Sequence, residues 1–223
     1  MIPWKELDRA AVPGGGELRL KQRGCEYSIM LGANELMNSR LSGSEEALAT
    51  LAIERLAGRN ASAILIGGLG MGFTLRAALA VLPPTASVTV AELVPAVVAW
   101  ARGPMAELFA GCLDDARVDI READVADLIA VARGAYDAIL LDVDNGPDGL
   151  SRSANDRLYS LAGLAGARAA LKPGGVLAVW SAHPDAGFAT RLRKAGLEVE
   201  EVHTRARGKR GARHVIWLAT RKA

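Results

Sequence analysis

The sequence predicts an α/β fold: a mostly parallel sheet of seven strands with helices on both faces, preceded by a small N-terminal extension. Three observations lead there. From Ile64 onward, short β-branched runs alternate with longer Ala/Leu-rich stretches, the order expected of parallel strands joined by crossover helices. The first run enters a glycine-rich turn, Gly67-Gly68-Leu69-Gly70-Met71-Gly72, and then a helical stretch. The last two strand-like runs are joined by Thr204 to Arg213, with no room for a helix, so they pair antiparallel while the others run parallel.

Taken in order, the strands are expected over residues 63–66, 87–92, 117–121, 136–142, 176–180, 197–203 and 214–220. The helices fall near 73–81, 95–109, 125–132, 155–171 and 185–195. Pro95 suits a first helical turn, where no donor is lost, and Lys172-Pro173-Gly174-Gly175 is expected to stop the helix before the fifth strand. Residues 1–58 form the extension, too short for a core of their own, and residues 59–223 form the main domain. Within the extension, runs over 17–22 and 26–31 flank Arg23-Gly24 as a hairpin, and a helix follows over 44–57. Ser42 and Glu45 have capping-box spacing, with Gly58 as C-cap.

Composition narrows the class further. At 223 residues, 50% hydrophobic and 23% charged, the chain buries a sizeable core. A net charge of +2 names neither nucleic acid nor a membrane as partner. Arg205, Arg207, Lys209, Arg210 and Arg213 cluster late in the chain with no aromatic residue among them, which reads as a solvated loop rather than an RNA surface. Cys25 and Cys112 lie far apart, and His183, His203 and His214 form no HxxxH or HExxH pair, so no structural metal is expected. The charged start lacks the apolar stretch of a signal peptide. The longest uncharged run, residues 60–75, is too short for a membrane helix. A soluble, cytoplasmic protein is expected. Trp100 and Trp180 lie on expected core elements and read as packing.

The glycine turn lets backbone approach a nucleotide closely. Glu92 ends the next strand, 20 residues after Gly72, where a carboxylate accepts from both ribose hydroxyls. The spacing opposes a dinucleotide, because the third glycine of GxGxxG is replaced by Phe73, and no GxxxxGK[ST] is present. The remaining guest is S-adenosylmethionine or a relative. Asp124, after the third strand, either accepts from the adenine amino group or caps the following helix. Asp142 ends the fourth strand at the carboxyl edge of the sheet, where a reacting group sits. His183, after the fifth strand, is a rival base, or simply starts the next turn.

The segments ILIGGLGMGFTLRAAL, VTVAELVPAVVAWAR, VDIREADVADLI, YDAILLDVDNGPDGL and LYSLAGLAGARAALKPGGVLAVW resemble the class I S-adenosylmethionine-dependent transferases, with their Rossmann-like sheet. The closest resemblance is to the spermidine synthase (polyamine aminopropyltransferase) branch, and LMNSRLSGSEEALA is similar to the segment ahead of that branch's core. The resemblance implies that Gly68, Gly70 and Gly72 line the donor's amino-acid end, Glu92 the ribose and Asp124 the adenine. It also implies a homodimer, with a small-molecule acceptor held near Asp142.

Two departures stand out. Met71 replaces the Asp of the branch's GGGDGG loop, which removes a reason to prefer decarboxylated S-adenosylmethionine. In place of DSxDP the chain reads Asp142-Val143-Asp144-Asn145-Gly146: the first Asp is kept and Asn145 replaces the second, which puts diamine recognition by paired carboxylates in doubt and leaves Asp144 or Asp148 as the substitute, with Asp144 and Asn145 as the candidate substrate-binding residues. Methyl transfer from S-adenosylmethionine to a small amine- or hydroxyl-bearing acceptor is therefore the expected reaction. Aminopropyl transfer from the decarboxylated donor to a diamine is the first alternative, and a non-catalytic nucleoside-binding subunit the second.

Overall fold

A computed structural model describes residues 2–56, 58, 62–143, 146–147, 157–207 and 210–222. The extension is more than a hairpin. Strands β1 (Lys5–Ala11), β2 (Glu17–Arg23), β3 (Glu26–Leu31) and β4 (Asn34–Asn38) form a four-stranded antiparallel sheet in the order β1-β2-β3-β4. The central pair is the expected hairpin; β1 and β4 are the edges. Neither edge strand alternates apolar and polar residues, because neither buries one full face, and that is why a period-two pattern misses them.

Helix α1 (Gly43–Glu54) follows. Ser42 takes the N-cap position but makes no side-chain capping bond, and the helix ends with Arg55 as its C-cap, before Gly58. The capping box fails because the Glu45 carboxylate turns instead to Ser44, whose hydroxyl donates to it at 2.6 Å.

The main sheet contains β5 (Ala63–Gly67), β6 (Ser87–Glu92), β7 (Val118–Glu122), β8 (Tyr136–Leu141), β9 (Leu171–Ser181), β10 (Leu197–Arg207) and β11 (Arg210–Arg221) in the order β10-β11-β9-β8-β5-β6-β7. Pairing is parallel from β9 to β7; β11 runs antiparallel to both β9 and β10. Helices α2 (Phe73–Val81), α3 (Pro95–Arg102), α4 (Ala106–Phe109), α5 (Val125–Val131), α6 (Leu161–Ala170) and α7 (Ala186–Lys194), with a short 3₁₀ turn over Cys112–Asp114, complete the described elements.

Two apolar cores form, one on each face. Ile64 and Ile66 of β5 join the cluster containing the N-terminal sheet and Leu48, Leu75 and Val97. Leu65, between them, joins the opposite cluster with Ile129, Leu164 and Phe188. This is the strand's period of two with both faces covered. The extension therefore adds Leu18, Leu20 and Ile29 to the first core. Two further bonds tie it down: Trp100 Nε1 donates to Asp8 Oδ2 at 2.6 Å, and the Tyr27 hydroxyl donates to the Pro104 carbonyl.

Other boundaries differ for local reasons. The helix expected over 95–109 breaks between α3 and α4 at Gly103-Pro104, since proline disfavours helical backbone in the residue before it. Lys172-Pro173-Gly174-Gly175 does not form a stop between elements. Helix α6 ends at Ala170 and the strand begins at once, the four residues being absorbed where the β8–β9 register shifts between Tyr136 and Ala138. Proline inside a strand is tolerated at such an irregularity. The segment expected as a loop over 204–213 largely continues the two strands, and Arg205 pairs with Arg213 across the ribbon.

Candidate active site

The carboxyl ends of β5, β6, β7 and β8 open into one cleft, at the point where connections leave β5 in opposite directions along the sheet, the usual ligand position in open α/β sheets. The enclosed part of the cleft measures about 130 Å³, below the roughly 300–1,000 Å³ of small-molecule sites, and the rest opens to solvent. Gly68, Gly70, Glu92, Asp124, Asp142 and Val143 line its floor. Val12, Leu18, Ile29, Leu31, Leu36 and Met37 of the N-terminal sheet form an apolar roof.

Gly68 is required by the strand ends themselves. Its φ is +91°, and a Cβ there would lie 2.4 Å from the Asp142 carbonyl oxygen. Gly68→Ala is expected to destabilise the fold by about 2–4 kcal/mol, from left-handed backbone strain plus overlap with main chain that cannot move aside; urea unfolding measures it. Gly70 faces the cleft beneath Met37. Gly72 does not line the cleft. Its added Cβ would meet the Phe109 ring at 2.4 Å, so the packing of Phe109 itself calls for glycine there.

Glu92 is 8% exposed, and its carboxylate accepts from Leu69 N and Val94 N, each at 2.9 Å. It thus ties the glycine turn to the β6–α3 turn. Burial raises its pKa, partly opposed by those backbone donors. Asp124 fills both of its expected positions: it caps α5 by accepting from Ala126 N at 2.8 Å, and it lines the cleft.

Asp142 follows β8 and accepts from Thr74 Oγ1 at 2.6 Å. Burial, then the charge of Glu45, push its pKa up to about 7 against the opposing Thr74 bond. A carboxyl raised above its unfolded value near 3.8 contributes stability below that value, and the contribution is lost as pH rises through about 7. Asp142→Asn is therefore expected to melt higher than the wild type at pH 8, with the gap closing at pH 4. At about 2–4 °C per kcal/mol, a difference of a few degrees is readable by calorimetry.

His183 is exposed and does not line the cleft; its backbone N–H and carbonyl are held by Ser181 Oγ. Asp144 and Asn145, and Asp148 beyond them, lie outside the described residues. Trp100 and Trp180 are buried. Thr74, Glu45 and the roof were not singled out from the sequence. Thr74 could have been found from its place in the GMGFTLR turn, whereas Glu45 was hidden by its capping-box spacing. Among the described residues no group of His, Cys, Asp and Glu is arranged to hold a metal ion, and no helix is long and apolar enough to cross a membrane.

No protein-family model matches the chain. It is 34% identical over 131 residues to polyamine aminopropyltransferase 1 of Streptomyces coelicolor, a match that spans 58% of this chain and 24% of that protein. The crystal structure of spermidine synthase from Thermotoga maritima superposes with a TM-score of 0.78 at 18% identity, over 97% of this chain and 72% of that one. The chain has the spermidine synthase fold. Within the wider class I S-adenosylmethionine-dependent fold, human methyltransferase-like protein 13 in complex with SAH also superposes, at a TM-score of 0.60 and 21% identity, over 81% of this chain and 82% of that one. The spermidine synthase fold thus spans more of this chain than the methyltransferase neighbour does.

Proposed function

We propose that the protein transfers an aminopropyl group from decarboxylated S-adenosylmethionine to a small amine. The carrying observation is the charge of the cleft. Its described lining includes Glu92, Asp124 and Asp142 and no Lys, Arg or His; beside it Arg157 Nη2 lies 3.6 Å from Asp124, which leaves Glu92 and Asp142 without a cationic partner among the lining residues. Carboxylates in a partly enclosed site favour a donor tail ending in an ammonium and disfavour one that carries a carboxylate. The expectation of methyl transfer rested on Met71. That side chain is 2% exposed within the apolar core, so the residue at this position sets packing, and the acidic charge is supplied from other strand ends. The match to an aminopropyltransferase supports the same reading.

The placement of the cleft's polar groups suits such a ligand. Glu92 is positioned for ribose hydroxyls and Asp124 for an adenine edge, while the apolar roof excludes water from the reacting groups. The donor supplies an electrophilic carbon beside its sulfonium. Asp142, fixed by Thr74, orients the acceptor amine and takes its proton; holding both reactants in line provides much of the rate.

The test is incubation with decarboxylated S-adenosylmethionine and 1,4-diaminobutane, followed by mass spectrometry. A product carrying the added aminopropyl group, with none methylated from S-adenosylmethionine, is expected. Methylated amine as the sole product would contradict the proposal.

A further inference from the structure

Ser44 is fully buried in the first turn of α1, yet its hydroxyl joins two ionisable groups. Ser44 Oγ donates to Glu45 Oε2 at 2.6 Å and lies 2.8 Å from His214 Nδ1 on β11. A hydroxyl has one proton to give. With Glu45 ionised, it donates to Glu45 and accepts from the Nδ1–H of a neutral His214. With Glu45 protonated, both bonds reverse once the neutral His214 ring has exchanged its proton with water from Nδ1 to Nε2, which frees Nδ1 to accept. The same turn of α1 abuts Asp142, since Thr74 Oγ1, which donates to Asp142, also lies 3.4 Å from the Glu45 carbonyl oxygen. At the other end, the half-buried His214 ring stands edge-on to Trp180 at 4.9 Å, within electrostatic reach of the exposed His183.

We propose that Glu45, Ser44 and His214 form a relay that carries the acceptor's proton from Asp142 to solvent. The relay rests on the aminopropyl-transfer reading. The acceptor ammonium gives one proton to Asp142, and the freed amine lone pair forms the new C–N bond as the C–S bond breaks. Sulfur keeps the electron pair, and the product nitrogen remains protonated. Nothing is oxidised or reduced, and one proton per turnover is left on Asp142. It passes to Glu45. The Glu45 proton then moves to Ser44 Oγ as the Ser44 proton moves to His214 Nδ1, and the imidazolium releases its Nε2 proton to water.

The groups facing this path are Glu46 on the same helix, Asp142 beyond β8, His214 on β11 and His183 after β9. Burial raises the Glu45 carboxyl and lowers the His214 imidazole. Their proton affinities are brought together, as transfer in either direction requires.

Two measurements test the relay. In the ligand-free protein, the titration of His214 followed by NMR of its ring nitrogens is expected to move in Glu45→Gln and in Ser44→Ala, while His203 stays in place. An unmoved His214 in both variants would overturn the relay, whatever the reaction catalysed. In turnover, Ser44→Ala and His214→Gln are expected to lower kcat by at least about tenfold in dilute buffer with little change in KM, and concentrated imidazole buffer is expected to restore the rate. Folded variants that match the wild-type kcat in dilute buffer would also overturn it. Absence of aminopropyl transfer by the wild type would instead refute the reading of the reaction, with the His214 titration still deciding the relay.

Discussion

Asp142→Asn is expected to lower kcat by about 10²- to 10⁴-fold, the range for losing a positioned general base. The asparagine keeps an oxygen to accept from Thr74 Oγ1, which now donates at 2.6 Å, so the geometry survives while the proton acceptor is removed. With its carboxyl at about 7, Asp142 is half ionised near neutrality. The wild-type rate should accordingly rise as pH passes upward through about 7 and level off above it. The variant should show no such rise. Single-turnover rates against pH, measured with saturating donor, separate this effect from donor binding. A variant that retains the wild-type rate and pH profile would place the base elsewhere.

Glu92→Ala is expected to weaken donor binding by about 1–3 kcal/mol, or roughly 5- to 150-fold in Kd, because two ribose hydroxyls lose a charged acceptor. The same change leaves the Leu69 and Val94 amides without the carboxylate that now accepts from both. Folding stability should fall as well, since a buried donor without its partner costs about 1–3 kcal/mol. Calorimetric titration below the melting range of the variant isolates the binding loss. Unchanged affinity would mean that the ribose lies away from Glu92.

The legibility of the chain follows from which elements have a period. Every strand of the main sheet is readable because β5, β8 and β9 are buried on both faces and appear as continuous apolar runs, and the crossover stretches between them have helical composition. Edge strands β1 and β4 have no such signature; KELDRAA and NELMN become strands through pairing with β2 and β3. The break at Gly103-Pro104 was written in the sequence but outweighed by the helical residues on either side. At the site, Glu92 ends β6, and Gly68, Asp124 and Asp142 fall within two residues after β5, β7 and β8, where a strand-like run breaks off in the sequence. The approach of Phe109 to Gly72 is made only by the fold. The roof and the Glu45–Ser44–His214 contacts join residues as far as 170 positions apart, a relation no local pattern encodes. Met71 shows the converse: the motif position is readable in the sequence, but the burial of its side chain in the apolar core is not.

The most direct test of the central claim, that this cleft is built for a donor with a cationic tail, is parallel calorimetric titration of the wild-type protein with decarboxylated S-adenosylmethionine and with S-adenosylmethionine. The three carboxylates of the cleft predict tighter binding of the decarboxylated form, by about tenfold or more for a difference of ~1.4 kcal/mol, with the preference shrinking in Asp142→Asn. Tighter binding of S-adenosylmethionine would contradict the claim and return the search to methyl acceptors.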